Sequence, residues 1–266
     1  MTTILDKIIA RKKKDVALKK GLIPVKQLEQ SVLYEQKLPS LAAAIANTPT
    51  GIIAEFKRRS PSKSEINQQA AIADVAKGYQ KAGVSGMSVL TDGPFFGGSL
   101  DDLLLARAAV TMPLLRKEFI VDEYQIIEAK AHGAAAILLI AASLKSQEIQ
   151  QFASLAKQLG MDVLCEAHNA AEVHKSIVPQ VDMIGINNRN LKTFEVSLDT
   201  SKTLSTLIPD EFVKVSESGI STIDAISELL PYGYQGFLIG ENFMKTKDPG
   251  ASATQFIQSL LSRISS

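Results

Sequence analysis

From Pro49 onward the chain repeats one pattern, and that pattern limits the folds open to it. Short apolar runs recur at Gly51–Glu55, Gly86–Leu90, Met112–Leu115, Ala135–Ile140, Met161–Cys165, Val181–Ile186, Glu211–Val215 and Gln235–Ile239. Between them lie Ala-, Leu- and Gln-rich amphipathic stretches such as Gln68–Ala82, Leu100–Val110, Tyr124–Ala131, Lys145–Leu159 and Thr222–Leu229. Their periodicity and composition are helical. Runs without polar alternation, each followed by a helix, describe parallel strands covered on both faces. Eight such units predict a single α/β (βα)8 TIM barrel over residues 51–266, closed by a last helix, Ala251–Ile264. A doubly wound sheet is disfavoured, because no G-x-G-x-x-G follows any run.

Composition agrees with a large core. The 266 residues are 45% hydrophobic and 21% charged, and a folded chain of this size buries roughly three-quarters of its unfolded surface. Net charge is +1, from 29 basic and 28 acidic residues, so neither a nucleic-acid nor a membrane-surface partner is expected. The single cysteine, Cys165, cannot form an intramolecular disulfide and fits a reducing compartment. The longest apolar run, Ala134 to Ala142, is about half of a transmembrane span. Asp6 and Lys7 interrupt the first apolar stretch, unlike a signal peptide. A cytoplasmic protein is expected.

Charge is unevenly placed. Residues 1–50 hold nine Lys/Arg against four Asp/Glu, concentrated in Arg11-Lys12-Lys13-Lys14 and Lys19-Lys20. This segment reads as an N-terminal helical extension of the barrel. The basic run would form its solvated face, with Ile4, Ile8, Ile9, Val16 and Leu18 turned inward.

A (βα)8 barrel builds its active site at the C-terminal strand ends, and here those positions are polar. Strand one ends in Glu55 and Lys57, two apart and so on one face; strand three in Lys117; strand five in Glu166; strand six in Asn187-Asn188-Arg189; strand seven in Ser216-Glu217-Ser218-Gly219. Charges are costly to bury unless paired or functional, so Glu55, Lys57, Lys117, Glu166, Asn187 and Arg189 are the candidate site. Arg116 and Glu118 alternate with Lys117 and should form an outward salt bridge. Gly219 after strand seven and Gly240-Glu241 after strand eight, before a short turn Asn242–Met244, suit a phosphate pocket of free backbone N–H groups. Ser60-Pro61-Ser62-Lys63 could add donors.

Other features read as structural. His168 and His174 are six apart and lack the spacing of a zinc pair. His132 precedes Gly133 at a helix C-terminus, where a cation suits the dipole. Cys165 alternates with Glu166 and should face the helices. No metal is expected.

At these strand ends the chain resembles the indole-3-glycerol phosphate synthases. The matching stretches are IIAEFKRRSPSK, SVLTDGPFFGGSLDDL, PLLRKEFIVDEYQI, AAAILLIA, CEAHN, IGINNRNLKTF, VSESGI and GFLIGENFM, in order across residues 51–245. AEFKRRSPSK and INNRNLKTF are the most specific. Ser64 stands where a glycine is usual and Glu118 where an aspartate is common, both beside the chemistry.

The resemblance implies a decarboxylating, dehydrating ring closure of 1-(2-carboxyphenylamino)-1-deoxyribulose 5-phosphate to indole-3-glycerol phosphate in tryptophan biosynthesis, without cofactor. It implies Lys117 as the acid on the ribulose carbonyl, in a cationic site that lowers its pKa. Glu166 would be the base, Lys57 a candidate acid for dehydration, and Glu55 and Asn187 orienting groups. Lys57 and Arg189 would hold the carboxylate, Phe96 and Phe119 wall the aromatic ring, and Ser60, Ser218, Gly219, Gly240 and Glu241 take the phosphate. The loop Ser60–Asn67 would be a mobile lid. A monomer is expected, with a dimer the alternative. Two competing readings are phosphoribosylanthranilate isomerase, which should carry a catalytic cysteine at strand one, and an inactive scaffold barrel, which should show apolar strand ends.

Overall fold

The computed structural model describes residues 3–191 and 193–265. Three helices come first: α1 (Ile4–Leu22), α2 (Val25–Leu28) and α3 (Leu41–Ala46). Eight strands follow: β1 (Ile52–Phe56), β2 (Gly86–Leu90), β3 (Leu114–Lys117), β4 (Ala136–Ile140), β5 (Asp162–Ala167), β6 (Met183–Asn187), β7 (Val213–Glu217) and β8 (Tyr234–Ile239). They pair in parallel in chain order, and β8 closes on β1. The fold is therefore the expected (βα)8 barrel.

The intervening helices are α4 (Ile72–Ala82), α5 (Gly93–Phe96), α6 (Leu100–Ala109), α7 (Glu123–Ala131), α8 (Ser146–Gln158), α9 (Ala170–Ser176), α10 (Asp199–Leu204), α11 (Ile223–Leu229), α12 (Glu241–Met244) and α13 (Pro249–Ile264). Helix α10 had no counterpart in the amphipathic pattern, because its sequence DTSKTL is mostly polar. Strands β1, β3, β5, β6 and β7 end one or two residues later than their apolar runs. An apolar run ends where the polar residues of the strand end begin. The ladder does not, since backbone pairing is indifferent to the side chain.

Alternation sorts each strand into two faces. Outward residues such as Phe56, Val89, Cys165, Ile184 and Phe237 pack under the helices in the larger core. Inward residues Ile53, Leu115, Leu138, Leu164, Met183, Val215 and Leu238 fill the barrel interior. Leu41 and Ile45 of α3, at 0% and 1% exposure, belong to that inner cluster and plug its N-terminal end. At the other end the same inward rows turn polar: Ile53 leads to Glu55, Leu115 to Lys117, Leu164 to Glu166 and Val215 to Glu217. The apolar interior thus becomes the floor of a charged site.

Two expectations about the surface fail. Leu18 is 69% exposed, whereas Lys12 is 8% exposed, its Nζ lying 2.8 Å from Asp92 and 2.9 Å from Glu118. One face of α1 buries Ile8, Lys12 and Val16, at four-residue spacing, so the basic run is not wholly solvated. Arg116 and Glu118 do face away from the interior, but under cover. Arg116 is 2% exposed, donating to Glu128 at 2.7 Å with Glu118 at 3.7 Å. His132 is not a stable cation: burial, the largest influence, lowers its pKa, and its Nδ1 lies 2.7 Å from the Glu128 carbonyl oxygen.

Candidate active site

A cavity of about 370 Å³ opens at the C-terminal end of the barrel. It is walled by the candidate site residues Glu55, Lys57, Ser60, Phe96, Lys117, Phe119, Glu166, Asn187, Arg189, Ser218, Gly219, Gly240 and Glu241. Lys192 of the INNRNLKTF stretch lies outside the described residues. Ile4, Leu5 and Ile8 of α1 also reach the cavity, so the extension forms part of its rim.

At the base lie two ammonium groups and three carboxylates. Lys57 Nζ donates to Glu55 Oε1 at 2.6 Å. Lys117 Nζ donates to Glu217 Oε2 and lies 3.5 Å from Glu166 Oε2. Two glycines in the inward rows make room for this crowding. A Cβ on Gly185 would fall 2.5 Å from Glu217 Oε1, and one on Gly240 would fall 2.6 Å from Glu55 Oε1.

Electrostatics follow from that geometry. Burial works to lower the Lys117 pKa, but Glu217, Glu166 and Glu55 outweigh it and hold the ammonium above the usual lysine range. The expectation of a lowered pKa is therefore wrong: the surroundings of Lys117 are anionic. Burial also pushes Glu55 up, yet Lys57 and Lys117 prevail and keep it ionised, below the ordinary carboxylate range. Glu217 goes the other way. It is 1% exposed, burial is the largest influence on it, and Glu166 and Glu55 add like charge, so its pKa is raised despite Lys117. Three carboxylates share two ammonium groups, and the like charge with burial bears most heavily on the most enclosed of them. Glu217 was not among the candidate residues. Its signal was present, two positions beyond the inward Val215 on a strand that ends in polar residues.

The rest of the cavity is sorted by chemistry. Phe96 and Phe119 form one wall, ring centroids 5.8 Å apart. Asp92 caps α5 through the Phe95 N–H at 2.8 Å and so holds Phe96. Glu118 Oε1 accepts the Phe119 N–H at 2.8 Å. On the opposite side Ser218 and Gly219 adopt φ of 69° and 80°. The first is rare for a residue with a side chain and costs about 1–2 kcal/mol, a cost met where backbone must be turned toward a site. Glu241 is paired with Lys63 at 2.7 Å, and Asn67 Nδ2 donates to the Met244 carbonyl at 3.0 Å, so loop Ser60–Asn67 reaches from β1 across to α12. Arg58 anchors the start of that loop by two bonds to Asp102, at 2.6 and 2.8 Å. Asn187 Oδ1 accepts the Arg189 N–H at 3.0 Å and fixes the turn that carries the guanidinium.

Cys165 faces the helices as expected. It is buried, its Sγ donates to Ser176 Oγ at 3.1 Å, and burial pushes the thiol up to about 12. A nucleophilic cysteine at strand one, required by the isomerase reading, has no counterpart, and the polar strand ends do not suit an inactive scaffold.

Comparison with known proteins agrees. Solved structures of similar shape include 3-hexulose-6-phosphate synthase from Salmonella typhimurium, at TM-score 0.62 and 13% identity, covering 80% of this chain and 99% of that one. A chain of the tryptophan synthase a2b2 complex from Pyrococcus furiosus gives TM-score 0.57 at 12% identity, covering 80% and 98%. At those identities the likeness shows the barrel alone. Sequence relatives say more. An indole-3-glycerol phosphate synthase of Bacteroides thetaiotaomicron is 46% identical over 260 residues, covering 98% of this chain and all of that one. Another, of Albidiferax ferrireducens, is 42% identical, covering 96% and 98%. With residues 5–256 also matching the family pattern of indole-3-glycerol phosphate synthase, the chain belongs to that family.

Proposed function

We infer that this chain carries out its family's reaction, the closure of 1-(2-carboxyphenylamino)-1-deoxyribulose 5-phosphate to indole-3-glycerol phosphate with loss of carbon dioxide and water, and that the ionised groups at the barrel mouth divide its proton transfers. The observation that carries this reading is the position of Lys117 among Glu217, Glu166 and Glu55 in one cavity with the Phe96–Phe119 wall.

The substrate's aromatic ring lies against Phe96 and Phe119, and its carboxylate meets Lys57 and Arg189. The phosphate sits across the mouth on Ser60, Ser218 and the backbone of Gly219, Gly240 and Glu241. Lys117, kept protonated by its carboxylates, gives a proton to the ketone oxygen as the ring carbon attacks. Loss of carbon dioxide restores the aromatic ring. Glu166 then takes a proton from the methylene carbon while a lysine, with Lys57 the nearer candidate to the opening, protonates the departing hydroxyl. Glu55 holds Lys57 and Asn187 orients the hydroxyl. Glu217 belongs with this group as the carboxylate that fixes Lys117.

Residues 1–50 act as an extension of the same domain rather than a second one, and the chain works as a monomer in the cytoplasm on a small phosphorylated substrate. Among the described residues no helix is long and apolar enough to cross a membrane.

The test is incubation with the ribulose phosphate, following indole fluorescence and carbon dioxide together. Both should appear in equal amounts. Lys117→Ala and Glu166→Gln should each lower kcat by orders of magnitude with an unchanged circular dichroism spectrum, and near-normal turnover in either would remove that residue from the chemistry.

A further inference from the structure

Asn188 stands between two residues of the cavity wall, Asn187 and Arg189. Alternation turns its side chain the other way, outward under α10, where the residue is 2% exposed. A buried side-chain amide is costly unless its polar atoms are paired, and here all are. Its Nδ2 donates to Ser216 Oγ at 2.9 Å and to the Ser218 carbonyl oxygen at 3.0 Å. Its Oδ1 accepts from the Ser201 backbone N–H at 3.1 Å and from the Ser201 hydroxyl at 2.8 Å. Four bonds are all that such an amide makes. Its two backbone partners fix which way it faces, since an N–H only donates and a carbonyl only accepts.

The same residue joins the loops after β6 and β7. Its backbone N–H donates to the Glu217 carbonyl at 2.9 Å, and its own carbonyl accepts the Ser197 N–H at 3.1 Å. Ser201 of α10 is held in turn by Tyr234 of β8, whose hydroxyl donates to the Ser201 carbonyl at 2.7 Å. Val196 pairs with Arg189 across the loop after β6, and a Cβ on Gly219 would fall 2.5 Å from Val196 Cγ1. The ends of β6 and β7 thus pack as one unit with Asn188 at the join.

Of these bonds, the one to Ser218 bears on the substrate. Ser218 and Gly219 share a trans peptide, whose C=O and N–H point in opposite directions. Asn188 holds the carbonyl on the outer side, so the Gly219 N–H is turned to the inner side, where both residues line the cavity. Among the described residues that N–H has no hydrogen-bond partner. Glycine is at ease with φ of either sign, so the turn does not fix this peptide by itself. A rotated peptide would present its carbonyl oxygen to the cavity and repel an anion.

We propose that Asn188 is a positioning residue for the phosphate: it touches no substrate atom, and by holding the Ser218 carbonyl outward it keeps the Gly219 N–H aimed at the substrate's phosphate. This rests on the reading of Ser218 and Gly219 as part of the phosphate site. Lys117 and Glu166 stand on β3 and β5, so the proton transfers do not pass through this amide.

The experiment uses full chains carrying Asn188→Leu, which keeps the volume without the amide, and Asn188→Asp. At pH 8 the aspartate keeps acceptors for Ser201 but offers the Ser218 carbonyl no donor. Ser201→Ala is the control, since it thins the same buried network and leaves the Nδ2 bond to Ser218 in place. Inorganic phosphate and anthranilate, as competing inhibitors, probe the two ends of the substrate. In both Asn188 variants KM and the inhibition constant of phosphate should rise about tenfold, as loss of one hydrogen bond to a charged group implies. The kcat should stay within about threefold of normal. The inhibition constant of anthranilate should not move, and Ser201→Ala should leave both inhibitors unaffected. If Asn188→Leu does not fold, Asn188→Asp, which retains the bonds from Ser201, decides the matter. Unchanged phosphate inhibition in a folded Asn188 variant would overturn the proposal. So would equal weakening of phosphate and anthranilate, or the same loss in Ser201→Ala, either of which would make Asn188 a general prop for the barrel mouth. If phosphate does not compete with substrate in the unmodified chain, the phosphate site is misplaced and the proposal falls with it. If that chain forms no indole product, the reading of the reaction fails first.

Discussion

At the scale of single residues, the site is a problem of charge count. Glu55, Glu166 and Glu217 share Lys57 and Lys117, and the protein leaves one carboxylate with a raised pKa. Glu217→Gln tests that account in two ways. A group whose folded pKa is raised favours folding below its ordinary pKa, and that contribution is lost as pH rises through the folded value. Removing Glu217 should therefore raise stability at pH 8 by roughly 1–3 kcal/mol and change it little at pH 4, as read from urea unfolding at the two pH values. The same change strips one carboxylate from Lys117, so its ammonium should lose its proton at lower pH. The alkaline limb of kcat/KM should move down accordingly. Residues of this kind were largely legible beforehand, since Glu55, Lys57, Lys117 and Glu166 each break an inward apolar row at the strand end. Glu217 obeys the same rule and was passed over for the serine and glycine beside it. The raised pKa of Lys117 was not legible. It depends on which side chains meet across the barrel, and that spacing is absent from any one strand.

At the scale of elements, strands and helices were legible to within a few residues because each carries its own period. Helix α1 shows where that stops. Its basic run looks uniformly solvated, yet Lys12 falls on the buried stripe with Ile8 and Val16. Only the fold shows that Asp92 and Glu118 wait beneath it. Burial lowers the Lys12 pKa, but Glu118 and Asp92 outweigh burial and raise it. Its contribution to stability is thus present below the ordinary lysine pKa and lost as pH rises through the raised value. Lys12→Met should cost about 3 kcal/mol near neutrality, because it leaves Asp92 and Glu118 buried with too little positive charge, and thermal unfolding would measure it. The two acids also hold Phe96 and Phe119 in place, through the α5 cap and the Phe119 N–H. KM for the aromatic substrate should therefore rise more than kcat falls, and an equal fall in both would break that link between the extension and the aromatic wall.

At the scale of the whole molecule, near-zero net charge and ample apolar content follow from one design: an apolar cylinder closed at both ends by different means. At the C-terminal end the inward rows become the charged site. At the N-terminal end α3 supplies the stopper, and Leu41 sits so close to β2 that a Cβ on Gly86 would lie 2.4 Å from its Cδ1. Nothing in the sequence of α3 announced this, since six small and apolar residues suit a surface helix packed anywhere. The consequence is that residues 1–50 and the barrel share a core and should unfold together. Leu41→Ala should destabilise by about 2–5 kcal/mol, the range for deleting a buried leucine where the surroundings relax only partly. The loss should appear as a lower midpoint of one calorimetric transition, with kcat at 20 °C unaffected, because the stopper lies at the far end of the cylinder from Lys117 and Glu166. Two resolved transitions, with only the smaller one shifted by the substitution, would instead mean that the extension folds on its own and merely leans against the barrel.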